Sequence, residues 1–279
     1  MSTTVAAAVA ALDERYPPVW AEEWDRVGLV VGDPVWPVAR ILCVVDCVPE
    51  TVAEAISADA DLIVAHHPLL MRGVSSVAAT SYKGRIVQDL IKNDVALFTA
   101  HTNADVANPG VSDALAARLG LIDLRPLEPS SGDPSRGVGR IGRLPVPRPL
   151  SALTAQAAAV LPRTAWGVRA AGDPDRVITT VAVCGGAGDS FLATAAAAGV
   201  DAYLTADLRH HPASEAVAGG GPALLDAAHW ATERPWLDDL AAYLRARLEV
   251  DVVVSDLDTD PWTLHAASAL FTPSKESLP

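Results

Sequence analysis

Three apolar runs rich in β-branched residues, with helix-forming stretches between them, constrain this chain more than any other feature. The runs are ARILCVVDCV (39–48), DLIVA (61–65) and VALFTA (95–100). Near-continuous apolar character, without alternation, is what a strand needs when both faces of its sheet are covered. Residues 49–58 and 83–93 carry helical character, the latter through Ile86, Leu90 and Ile91. The order β-α-β-α-β predicts an open, mostly parallel α/β sheet clothed by helices. A helix over 4–15, closed by Pro17-Pro18, comes before it, and one over 112–119, stopped by Gly120, comes after.

The second half repeats the plan without repeating the sequence. Strands are expected over 177–184, 201–205, 223–228 and 251–255, with helices over 190–198, 212–218 and 235–248. Between the halves, 126–150 is dense in Pro, Gly, Ser and Arg and reads as a change of lobe or a long connection. The chain therefore divides into a first α/β lobe (1–125), a second (126–224), a return segment (225–265) and a loose tail (266–279).

Ligands of open parallel sheets bind beyond the carboxyl ends of the strands. Four predicted strand ends carry His or Asp: HHP at 66–68, HTNAD at 101–105, ADLRHH at 206–211 and HWATE at 229–233. Imidazole and carboxylate are ligands of Zn, Fe and Mn, and a carboxylate can reach two ions at once. His66, His67, Asp105, His229 and Glu233 are thus the expected ligands of a carboxylate-bridged two-metal site. Each motif alone has a plainer reading. A histidine pair can be a surface accident, Asp105 a helix N-cap, and His229 with Glu233 an exposed i,i+4 ion pair. Their joint position at equivalent strand ends favours the metal site. His210 and His211 stay open between a substrate-facing role and plain surface. Gly185 to Gly188 matches no phosphate-binding fingerprint and is read as a tight turn.

A net charge of −13 suits a protein that attracts cations and repels phosphate backbones on average. Arg125, Arg136, Arg140, Arg143 and Arg148 form the one local basic cluster. It is read as solvated surface, so nucleic acid is not an expected partner. The longest apolar runs, such as 191–200, fall short of the ~20 residues that span a bilayer. The amino terminus lacks a basic n-region, and a cytoplasmic address without membrane association is expected. Three scattered cysteines, Cys43, Cys47 and Cys184, read as free thiols.

Six segments together carry a family resemblance: EEWDRVGLVVGDP (22–34), LIVAHHPLL (62–70), LFTAHTNADVA (97–107), VAVCGGAGDS (181–190), YLTADLRHH (203–211) and AHWATE (228–233). They resemble the Nif-three-like dinuclear-metal-centre family, whose members are labelled homologues of the type-two GTP cyclohydrolase I. The resemblance implies two interlocked α/β lobes with two divalent ions (Zn, Fe or Mn) in the cleft between them, assembled as a ring-shaped homohexamer. It implies that His66 and His67 each serve one metal, that Asp105 and Glu233 bind or bridge, and that His229 completes the set. His101 resembles a non-ligand histidine suited to acid/base work. The implied chemistry is hydrolysis of a small molecule such as a nucleotide, with hydroxide attack at purine C8 and release of formate. The rival reading is a non-catalytic metal-binding ring, a scaffold or regulator associated with DNA. Some members carry a large inserted domain, for which 126–180 is too short here. Arg26, Ala206 and Ala228 depart from the family pattern, and Arg26 bears on the substrate.

Overall fold

The computed structural model describes residues 3–266. The tail expected beyond Ala266 lies outside the described residues. In chain order the elements are α1 (Val5–Arg15), β1 (Gly28–Val31), β2 (Arg40–Val44), α2 (Pro49–Ser57), β3 (Leu62–Ala65), α3 (Tyr82–Lys92), β4 (Ala96–Thr99), α4 (Thr102–Asp105) and α5 (Val111–Arg118). Then come β5 (Ile122–Ser130), β6 (Asp133–Pro149), α6 (Leu150–Val160), β7 (Val168–Ala171), β8 (Val177–Ala187), α7 (Leu192–Ala197) and β9 (Ala202–Ala206). The chain closes with α8 (His210–Ala218), β10 (Ala223–Ala227), α9 (His229–Arg247) and β11 (Asp251–Val254).

The first sheet has the order β1-β4-β3-β2-β11, parallel throughout except for β1. Its central strands are buried on both faces, as their unbroken apolar runs require. Ile41, Cys43, Leu62, Val64, Ala96 and Phe98 turn toward α1, α5 and α9. Their alternates Leu42, Val44, Ile63, Ala65 and Leu97 turn toward α2 and α3. The second sheet runs β5-β6-β8-β9-β10-β7, with a parallel centre β8-β9-β10 and antiparallel flanks. The α/β class with two sheets stands as expected.

Residues 126–150 differ from the expected connection. They are strand, forming most of the antiparallel ribbon β5–β6. A two-residue link joins the strands, and antiparallel pairing is the arrangement so short a link permits. The arginines there do not make a free basic patch either. Arg140 is 1% exposed and grips Asp113 through Nε and Nη2 at 2.8 and 2.7 Å. Its remaining N–H groups donate to the carbonyls of Ala107, Gly137 and Gly139. Arg136 pairs with Asp133, Arg143 with Asp123, and Arg148 with Gln156. A pattern of Pro, Gly and Arg reads as loop because it lacks apolar periodicity. Here the backbone pairing and ionic anchors supply what periodicity does not.

Helices α5 and α9 tie the two sheets together. Val111 and Ala114 of α5 enter the first core, whereas Leu115, Ala116 and Leu119 enter the second. Helix α9 fills the first core with Trp230, Trp236, Leu237, Leu240 and Leu244. It begins at His229, six residues before the predicted start, and runs through a buried Pro235. That earlier start sets HWATE on a helix. Because β2, β3 and β4 run the same way, Val44, Ala65 and Thr99 end at one edge. Ala206 and Ala227 end together in the second sheet.

Replacing Arg140 by Ala leaves the Asp113 carboxylate and three carbonyls without their donor. A loss of about 3–5 kcal/mol is expected, the cost typical of breaking a buried ion pair. Chemical denaturation of the variant beside wild type checks it. A loss below about 1 kcal/mol would mean that Arg140 behaves as a surface residue.

Candidate metal centre

All six residues singled out in the sequence meet in the cleft between the two sheets. His66 and His67 follow β3, His101 and Asp105 bracket the single turn α4, and His229 and Glu233 stand one turn apart at the start of α9. Two groups of side chains converge closely enough to hold a cation. In each of the triads His66–His67–His101 and His67–His229–Glu233, one ligand atom per residue lies within 4.8 Å of the others. Asp105 joins through His66, whose Nε2 is 3.7 Å from Asp105 Oδ1 and 3.6 Å from Glu233 Oε1.

Each imidazole is held from behind. Nδ1 of His66 donates to the Ala100 carbonyl at 2.9 Å, and Nδ1 of His67 to Asp46 at 2.7 Å. Nδ1 of His101 donates to Asp25 at 2.9 Å, and Nδ1 of His229 to Asp207 at 2.7 Å. A carbonyl or an ionised carboxylate can only accept, so each Nδ1 carries a proton and each ring turns its Nε2 inward. This is the outer layer that orients metal-binding histidines. Sequence reasoning missed Asp25, Asp46 and Asp207. Asp207 lay in the strand-end segment 206–211 without being given a role, and Asp46 lies two residues past β2, so the strand-end rule reaches it once that strand is ended at Val44. Asp25 had no such signal.

The inward atoms fit a cation and little else. Nε2 of His67 and Nε2 of His229 sit 3.3 Å apart, each about 3 Å from a Glu233 oxygen. His66 Nε2 and Glu233 Oε2 are buried without a hydrogen-bond partner. Ring nitrogens crowded round a 3%-exposed carboxylate are costly unless positive charge lies among them. In the metal-free protein protons supply that charge. Burial lowers the His67 pKa, but Glu233 and Asp46 outweigh it and push the ring up to about 10. The Glu233 carboxylate foremost, against burial and with help from Asp207, raises His229 to about 11. Burial would raise the Glu233 pKa, yet the three histidines hold it well below the usual carboxylate range. Asp25 is likewise held low, burial being outweighed by hydrogen bonds from His101 and Thr102.

Gly185 and Gly186 form the floor. A Cβ on Gly186, whose φ is +68°, would lie 2.4 Å from Glu233 Oε1 and 3.0 Å from His229 Nε2. Their N–H groups donate to Ser112 and Thr232 at 3.3 and 2.9 Å, so they cradle no phosphate. Two cavities open onto the centre. One of about 370 Å³ lies between Trp24, Asp105, Phe191 and Glu233. The other, of about 570 Å³, lies between His67, Asp207, His229 and Trp262. His101 and His229 line both. The exposed His210 and His211 head α8 and join neither group. The Arg26 side chain folds back onto the Asp25 carbonyl, and Arg26 lines neither cavity.

The model of Duf34/NIF3 (NGG1p interacting factor 3) matches residues 3–261. A Streptomyces coelicolor protein called "GTP cyclohydrolase 1 type 2 homolog" is 56% identical, over 94% of each chain. Drosophila melanogaster "NIF3-like protein 1" is 31% identical, over 92% of this chain and 88% of its own. Among solved structures, a Staphylococcus aureus hypothetical protein superposes with a TM-score of 0.87 at 27% identity, covering 95% of this chain and all of its own.

Two outcomes follow. Because His67 and His229 hold protons up to about pH 10 and 11, against ~6.5 in an unfolded chain, metal must displace protons at neutral pH. Calorimetric titration with Zn²⁺ at pH 7 in buffers of differing ionisation enthalpy is expected to show proton release, and affinity to rise with pH. By the same linkage the metal-free protein has the full benefit of these pairs below about pH 6.5 and loses it as pH climbs through 10 to 11. Zinc uptake with no proton release would contradict this picture. Gly186→Ala is expected to displace Glu233 and His229 and to cut metal content sharply, with the far-ultraviolet dichroism of the fold retained.

Proposed function

The chain belongs to the Duf34/NIF3 family, and from that premise we propose that it is a metal-dependent hydrolase holding two divalent ions, Zn, Fe or Mn. The observation that carries the proposal is the convergence of the inward Nε2 atoms of His67 and His229 on the buried Glu233 carboxylate. Ligand atoms packed this closely need positive charge among them, which bound ions would supply in place of the protons of the metal-free protein. His66, His67, His229, Asp105 and Glu233 would hold the ions, with the Glu233 carboxylate facing His66 through one oxygen and His67 through the other. Ions there would bring the pKa of a water down from about 15.7 toward 7 and polarise a substrate oxygen.

The chain's own residues divide the remaining work. Asp25 fixes the His101 ring with Nδ1 protonated and stays ionised, so Nε2 of His101 is the atom free to take up a proton. It would accept the proton of the attacking water and return it to the leaving group. For a GTP cyclohydrolase-like reaction one water adds at purine C8 and breaks a C8–N bond to leave a formamide, and a second water hydrolyses that formamide, releasing formate and a free amine. The names of the relatives support that class, and the two cavities, at about 370 and 570 Å³, suit small-molecule substrates. A ring-shaped homohexamer belongs to the same reading. Light scattering would then give six times the 29.0 kDa chain mass.

Elemental analysis is the deciding measurement. Wild type is expected to hold close to two ions per chain, with Glu233→Ala and His67→Ala losing most of them. His101→Ala is expected to keep its metal and lose about 10²-fold or more in formate release from GTP, the range of general acid–base catalysis. Loss of metal from His101→Ala would make that residue a ligand. A wild type that stays empty after incubation with Zn²⁺, Mn²⁺ and Fe²⁺ would end the proposal.

A further inference from the structure

The larger cavity has a wall that the metal centre does not explain. At its inner end are His67, His101 and His229, and on its side are Trp166, Arg169 and Trp262. Trp262 is 61% exposed, so core packing does not account for a large apolar ring at the mouth of a polar cleft. The Trp166 and Trp262 rings lie 6.1 Å apart and 38° from parallel. At that tilt they are neither stacked nor edge-on, and the exposed ring of Trp262 keeps a face for a further planar group. The guanidinium of Arg169 sits 4.6 Å over Trp166.

The Arg169 side chain is anchored, and so is the backbone at Trp262. Nε of Arg169 donates to Asp226 at 2.7 Å, and Asp226 is buried and also accepts from the Leu208 amide. Arg169 remains 61% exposed, leaving donors toward the cavity. Trp262 is held by its amide on Asp260 at 2.9 Å. Thr259 in turn donates to Asp46, the same carboxylate that orients His67. The aromatic wall is therefore coupled to the centre through one carboxylate. Of the three carboxylates lining the cavity, Asp46 and Asp207 are committed to histidines. Asp260 has no basic partner among the described residues, which suits an N–H donor on a ligand's edge.

We propose that Trp166, Arg169 and Trp262 form a substrate subsite that stacks a planar nitrogen heterocycle and holds its anionic substituent on Arg169. The inference deepens the hydrolase reading, on which it rests for the place of the reacting atoms. Binding at the wall is nevertheless measurable without turnover. Aromatic faces grip any planar ring, at roughly 1–3 kcal/mol per base by stacking. The anchored guanidinium selects for a phosphate or carboxylate. An arginine already held by a buried Asp loses little freedom on binding such a group, so the wall is preorganised.

Calorimetric titration of zinc-loaded and zinc-free protein with GMP, guanosine and ribose 5-phosphate tests this directly. GMP is expected to bind tightest, and Trp262→Ala to weaken both GMP and guanosine about tenfold or more. Arg169→Gln keeps a hydrogen-bond donor for Asp226 while removing the charge. It is expected to weaken GMP about tenfold and leave guanosine within twofold. Repeating the titration with pyridine-carboxylate in place of GMP separates a carboxylate from a phosphate as the preferred anion. No GMP binding by zinc-loaded wild type, or GMP and ribose 5-phosphate binding alike with no response to Trp262→Ala, would overturn the subsite while leaving the hydrolase reading standing. GMP binding with these variant effects, but no formate from GTP, would uphold the subsite and count against the hydrolase.

Discussion

The buried carboxylate of Glu233 is the group around which the rest of this molecule is arranged. It is 3% exposed and lies within 3.6 Å of His66, His67 and His229. Burying an isolated carboxylate is prohibitively costly unless charge of the opposite sign accompanies it. Each of the three histidines comes with its own acceptor on Nδ1, two of them aspartates. The result is a nest of alternating charge that favours cations, whether protons or metal ions. The glycine floor belongs to the same constraint, since a methyl group at 186 would occupy the space that Glu233 and His229 use.

That nest needs both halves of the chain. His66, His67 and His101 come from the first sheet's strand ends, His229 and Glu233 from a helix that leaves the second sheet and packs on the first. Helix α9 is the physical link. Its Thr232 accepts from the Gly186 amide of β8, while Trp236 bonds Tyr16 and packs in the first core. The lobes are therefore held in register by the same helix that carries His229 and Glu233, and geometry at the centre is set by core packing. Metal ligands on rigid elements keep their positions better than ligands on loops.

The outer aspartates extend the order outward. Asp25 couples His101 to Thr102 and to the segment before β1, and Asp46 couples His67 to Thr259 near the far end of the described chain. Through Asp46 the centre and the aromatic wall at Trp262 share a support. Asp46 thus bonds both His67 and Thr259, which line the larger cavity together.

How much of this was legible in the residues depended on the range of the interaction that carried it. The parallel sheet showed in 39–48, 61–65 and 95–100 because burial on two faces imposes a local composition. The inner histidines and Glu233 showed because strand ends are where such sheets put ligands, and because one helical turn separates His229 from Glu233. The ribbon β5–β6 did not show, since its stability comes from pairing and from Arg140 on Asp113, contacts 27 residues apart. Asp25 stands 76 residues from His101, and Thr259 stands 213 from Asp46. No local pattern encodes a partner at that distance. By itself the sequence determined which side chains had the chemistry of a metal centre and at which strand ends they lie. Only the tertiary structure decided how they face one another, which nitrogen of each ring turns inward, and which tryptophans stand beside them. Those properties are set by contacts between elements far apart in the chain.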